Sequence, residues 1–173
     1  KNMKLSKSLF IVPAILFTSM AFAKEYPVGG PVVHEGMEIA SSYLLGIKMS
    51  PHITSMIMGD DVIHLETDVH ATQDNKWGFS QDEWIPYLSI NYVMTKQGDK
   101  DFLEFGQLLP MVAKDGAHYA QSVKMQGPGT YTVKLKYSAP DEKGFLHHTD
   151  EETGTPDWFK PFVETFTFTY PQK

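Results

Sequence analysis

Cysteine is absent from this 173-residue chain, and so is arginine. The first absence excludes disulfides and thiolate metal sites, so any soft metal ligand has to be a methionine sulfur. The second removes the bidentate guanidinium group on which phosphate and nucleic-acid recognition relies. Charge points the same way. The 21 acidic residues outnumber the 15 lysines, and the net charge of −6 disfavours a polyanionic partner and suits a cationic one. Also missing are a Gly-x-Ser-x-Gly nucleophile turn, a phosphate loop, a dinucleotide fingerprint and a helical metalloprotease motif. Among so many acids, no pair stands out as a hydrolase's. The chain has no internal repeat and no low-complexity tract.

An apolar run long enough to span a membrane is lacking too. Residues 1–23 carry Lys4 and Lys7, continue through "SLFIVPAILFTSMAF" and end in the small-residue pattern "AFA". The run falls short of the roughly 20 residues a spanning helix needs, so it reads as a signal peptide. Cleavage takes Lys1, Lys4 and Lys7 away and leaves residues 24–173, with 12 lysines against 21 acids and a net charge of −9. An exported chain without disulfides fits a bacterial periplasm.

What the chain does have is short runs of period-two alternation, separated by Gly, Pro, Asp and Asn. In "GPGTYTVKLKY", Tyr131, Val133, Leu135 and Tyr137 share one face and Thr132, Lys134 and Lys136 the other. Seven such strands are predicted, over residues 37–47, 62–71, 84–94, 101–109, 119–125, 130–137 and 161–170. With no convincing amphipathic helix, they predict an all-β fold, an immunoglobulin-like antiparallel β-sandwich in a single domain. Residues 73–83 and 139–160 read as loops.

Three stretches carry possible metal chemistry. In "VIHLETDVHA" a strand places His64, Glu66, Asp68 and His70 on one face. Same-face neighbours stand about 6.5–7 Å apart, so adjacent pairs can share an ion but all four cannot. A plain solvated polar face is the competing explanation. "PMVAKDGAH" crowds Met111, Asp115 and His118 beside a glycine and a proline, and a thioether with an imidazole suits copper better than magnesium or calcium. Core packing of Met111 and a turn role for Asp115 compete with that reading. "FLHHTDEETG" offers His147 and His148, which point opposite ways in an extended segment. His34 and His52 read as surface residues.

Taken in order, "KEYPVGGPVVHEGMEIASSYLLGIKM", "IHLETDVHAT", "GFSQDEWIPYLSINY", "LLPMVAKDGAHYAQSVKM", "GTYTVKLKY" and "HHTDEETGTPDWFKPFVETFTFTY" resemble the successive blocks of the periplasmic iron-transport proteins of the P19, FetP and Tp34 group. The resemblance covers residues 25–170. It implies an immunoglobulin-like sandwich, a homodimer, a Cu2+ site near the dimer interface and a neighbouring site for iron, or for Mn2+ as its surrogate. The implied copper ligands are His64, Glu66, Met111, His118 and His148, and Asp115 with Glu66 matches the pair that would hold the second ion. The implied role is iron acquisition together with an FTR1-type inner-membrane permease. An enzyme of the ferroxidase or iron-reductase kind, using copper on periplasmic iron, is the alternative. His147, and Met56 and Met58 in "MSPHITSMIMGDD", depart from the family pattern.

Overall fold

Period-two alternation becomes eight antiparallel strands in the computed structural model, which describes residues 24–172. They are β1 (Tyr26–His34), β2 (Met37–Leu44), β3 (Val62–Ala71), β4 (Ser89–Lys96), β5 (Asp99–Ala113), β6 (Gly116–Lys124), β7 (Gly129–Ser138) and β8 (Phe162–Tyr170). The one helical segment among the described residues is a 3-10 turn at Pro140–Lys143. No helix there is long and apolar enough to cross a membrane. The proposed leader, residues 1–23, lies outside the described residues.

The all-β reading holds, and the two-sheet immunoglobulin-like sandwich does not emerge. The strands form one hydrogen-bonded sheet in the order β1-β2-β3-β6-β5-β4-β7-β8. Continuity rests on β5. Its first part pairs with β4, up to Ile90 with Leu108, and its last part pairs with β6, from Leu109 with Ala120 onward. A strand of 15 residues is long enough to serve both halves of the sheet. Gly106, which lies against the Tyr92 ring, and Pro110, which has no N–H to donate, flank the switch. The outer strands β1 and β8 meet at the seam, where a Cβ on Gly29 would overlap the Phe166 ring. The result is a nearly closed, barrel-like sheet.

One face of every strand fills the interior. Ile39, Tyr43, Ile63, Leu65, Leu108, Tyr119, Val133, Leu135 and Tyr137 are all fully buried there. Several buried hydroxyls are held by the backbone: the Tyr119 hydroxyl donates to the Ile85 carbonyl and accepts from Leu88 N–H.

The expected strands shift in detail. Strand β1 had no sequence signal, because Gly29, Gly30 and Pro31 break the alternation and its ladder with β2 is irregular there. Strand β4 begins at Ser89 rather than Trp84. Pro86 and a left-handed Tyr87 (φ 61°) intervene, and Trp84 forms only an isolated bridge to His70. Strand β2 stops at Leu44, short of Gly46 with its φ of 68°. Residues 73–83 and 139–160 are indeed connections without strands.

Candidate metal centre

The site grows from the outer face of β3. His64 and Glu66 sit two residues apart, so both point away from the core. Across the ladder Glu66 faces Ser42 on β2 and Ala120 on β6, and His64 faces Ser122. Ala120 is the consequential neighbour, because its methyl leaves room in front of the carboxylate. Into that room comes His118, two residues before Ala120 on the same face of β6. One ligand atom from each of His64, Glu66 and His118 lies within 4.8 Å of the others.

"PMVAKDGAH" is a β-hairpin. Met111 and His118 are cross-strand partners, so the thioether and the imidazole share a face, and Gly116 (φ 136°) closes the turn beside Asp115. Met111 is half-buried and Asp115 exposed at the tip. Both border a cavity of about 510 Å3 that His64, Glu66 and His118 also line. The structure thus brings five of the six sequence-predicted residues to one place. The sixth, His148, lies in the long loop before β8. Its side chain is 73% exposed, its Nδ1 is 2.7 Å from the Thr153 hydroxyl, and Asp150 is 3.7 Å away. His147 is tied into the same loop by Thr155 at 3.1 Å and lies edge-on to Trp158.

A solvated polar face was the competing explanation for this strand, and it fails at His64 and Glu66, while Asp68 and His70 are half-buried. His64 is 5% and Glu66 6% exposed. Residues 45–61 contribute Ile47, Met49, Pro51, Ile53 and Met56 to the cavity wall, and Met56 is itself buried. Burial sets the electrostatics. It drives the Glu66 carboxyl up to about 7, helped by the negative charges of Asp68, Glu25 and Asp115 and opposed by the hydrogen bond that the Ser42 hydroxyl donates at 3.0 Å. Burial, with the neighbouring His118, holds the His64 imidazole down to about 4. Near pH 6 the pair is therefore a protonated acid and a neutral imidazole.

Apart from the Ser42 hydroxyl on Glu66, nothing among the described residues satisfies this cluster. His118 Nε2 stands 3.5 Å and His64 Nε2 3.8 Å from the same Glu66 oxygen, both beyond ordinary hydrogen-bond length. His118 Nε2 and His64 Nδ1 are buried without a hydrogen-bond partner among the described residues. Native interiors seldom leave such groups unpaired. A cation between them would take the imidazole lone pairs and favour the ionised carboxylate. Two imidazoles, one carboxylate and a thioether form a mixed nitrogen, oxygen and sulfur set that suits copper and lacks the all-oxygen character calcium and magnesium prefer.

A second cleft adjoins the first. Glu25, Glu66, Asp68, His70, Asp115 and His118 border it, and burial raises the carboxyls of Glu25 and Asp68 above their usual range. Glu66, Asp115 and His118 are common to both spaces. Glu25 was missed at the sequence level because it precedes a strand with no alternation signal. Ser42 was missed because a serine on an apolar strand carries no metal pattern.

Comparison with known proteins agrees with this chemistry. The sequence pattern of the Fe2+ transport protein family matches residues 22–171. A UPF0423 protein of Brucella abortus is 39% identical over 173 residues, covering 98% of this chain and 94% of the relative. Among solved structures, a copper-bound variant of FetP from uropathogenic Escherichia coli strain F11 is similar at 42% identity and a TM-score of 0.80, with 86% of this chain and 98% of that one covered. Copper-reconstituted P19 from Campylobacter jejuni is similar at 40% identity and a TM-score of 0.80, covering 86% and 97%. This chain belongs to the Fe2+ transport protein family.

Proposed function

We propose that this protein is a periplasmic copper-binding component of a bacterial iron-uptake system. The observation that carries the reading is the buried convergence of His64, Glu66 and His118, two of whose ring nitrogens have no partner among the described residues, beside the Met111 thioether. In this reading His64, Glu66, Met111 and His118 hold Cu2+. Copper supplies a redox-capable centre; the chain supplies the donors, the dry walls and a carboxylate that changes protonation when the ion arrives. His148 stands apart from the cluster of its own chain, so it serves as a ligand from a second copy in a homodimer. Asp115, with Glu66, holds the second ion, iron or Mn2+ as its surrogate, and Glu25 and Asp68 add charge to that cleft. Residues 1–23 act as the signal peptide and residues 24–173 as the metal-binding domain. Iron passes to an FTR1-type permease in the inner membrane.

Support comes from the family and from the copper in FetP and P19. The test is calorimetry on Met111→Leu combined with His118→Ala. Cu2+ affinity is expected to fall by about a hundredfold or more, as removal of two ligands demands. Unchanged affinity sinks the assignment. A second reading, a copper-dependent ferroxidase or iron reductase, is favoured by Glu66 bordering both clefts, since one carboxylate then touches both ions. Catalytic change in the oxidation state of iron by the copper-loaded protein decides for it, and stoichiometric binding without turnover decides against it.

A further inference from the structure

Nine methionines occur in the chain, and seven lie among the described residues. Met37, Met94 and Met125 are buried in the core, the ordinary fate of a thioether. The other four, Met49, Met56, Met58 and Met111, stand outside it. Three of these share one setting: Met49 and Met56 from residues 45–61, and Met111 from β5, border the same 510 Å3 cavity as His64. Met58 is 60% exposed and does not. The shared setting is tertiary, because Met56 and Met111 stand 55 positions apart in the chain.

Position sharpens the point. The Met56 sulfur lies 3.8 Å from the Ser122 hydroxyl, which donates to it, and Ser122 is the cross-strand partner of His64. Met56 is thus seated over the rung that carries His64, whose Nδ1 is buried and unpartnered. A purely apolar cover would be as well served by leucine, as Leu44, Ile47 and Ile53 show on the same wall. Thioether sulfur differs from those side chains in one respect that matters here: it is a soft, neutral donor, which favours Cu(I) over Cu(II) and over hard divalent ions.

We propose that Met49, Met56 and Met111 form a thioether site for monovalent copper in the cavity beside the His64–Glu66–His118 position. The inference rests on the copper reading above through Met111 and extends it to residues that the Cu2+ set does not use. The protein then holds copper in either oxidation state without releasing it.

Competition with bathocuproine disulfonate under anaerobic, reducing conditions measures Cu(I) binding, and Ag(I) gives a redox-inert check. The Met49→Leu/Met56→Leu variant keeps the side-chain volumes and is expected to lose Cu(I) and Ag(I) affinity by about tenfold or more, with Cu2+ affinity held within about twofold. Equal Cu(I) affinity in variant and wild type overturns the proposal, and so does a parallel loss of both oxidation states. Copper K-edge absorption on the Cu(I)-loaded wild-type protein needs no variant and is therefore immune to misfolding. It is expected to count two or more sulfur scatterers, all of them thioethers in a chain without cysteine. A count of one or none overturns the site. Failure of the wild-type protein to bind Cu2+ is a different result, and it strikes the proposed function.

Discussion

Glu66 and His64 are two residues apart, and burial moves their proton affinities in opposite directions. The carboxyl, raised from 4.5 to about 7, favours the folded state below about 4.5 and loses that contribution as pH rises through 7. The imidazole, lowered from 6.5 to about 4, contributes fully above 6.5 and loses its contribution as pH falls through 4. Between 4.5 and 6.5 the slopes are equal and opposite, so this pair leaves the stability of the metal-free protein flat. Glu66→Gln removes one slope and leaves the other. The variant is expected to gain on the order of 2 kcal/mol between pH 4.5 and 6.5 relative to wild type, read from urea midpoints along the pH series. Parallel curves for the two proteins contradict the assignment. The same proton has to leave when a cation binds. Calorimetry in buffers of different ionisation heat at pH 6 is expected to show about one proton fewer released by Glu66→Gln than by wild type.

The pairing of His64 with Glu66 on one face was legible from alternation alone. Their burial was not, because period two distinguishes the faces of a strand without saying what lies over them. A face bearing His64, Glu66, Asp68 and His70 looks solvated until residues 45–61 are placed over its His64 and Glu66 end, and that placement is a long-range contact with no local signature.

Elements show the same limit. Strand β3 was bounded correctly because nothing interrupts its alternation, whereas the expected strands stopped at 109 and resumed at 119 and so left Met111 and His118 outside the hairpin that pairs them. Strand β1 escaped notice at Gly29, Gly30 and Pro31, the residues that give it its function in the fold. Two outer strands can meet at the seam only where side chains allow, and Gly29 provides the gap that the Phe166 ring fills. Gly29→Ala puts a methyl into that ring. Overpacking of this kind is expected to cost about 1–3 kcal/mol, measured as a lower urea midpoint with an unchanged slope. A double variant with Phe166→Leu, which removes part of the ring's bulk, is expected to recover some of the loss beyond additivity. Strict additivity would show that the seam is not packed as described.

At the scale of the whole molecule, composition and patterning were enough for an all-β chain, and they fell short of its closure. Alternation fixes which side chains face inward; strand partners are chosen by connections and by local irregularities such as the switch of β5 at Leu108 and Leu109. The position of His148 raises the corresponding question about assembly. Its loop holds it through Thr153 and Asp150, away from the cluster that His64, Glu66 and His118 form. In the proposed homodimer each copper is therefore shared, with His118 from one copy and His148 from the other. Subunit mixing tests this directly. His118→Ala and His148→Ala homodimers each lack a ligand at both sites and are expected to bind Cu2+ weakly. Mixing and re-equilibrating equal amounts produces hybrids in which one site has lost both residues and the other has regained the full set, so about a quarter of the wild-type tight sites should reappear. Ligands drawn from a single chain give no recovery at any mixing ratio. Tight Cu2+ binding by the unmixed His148→Ala protein would instead return His148 to the surface of its own loop and leave Met111, His64, Glu66 and His118 as the whole of the copper set.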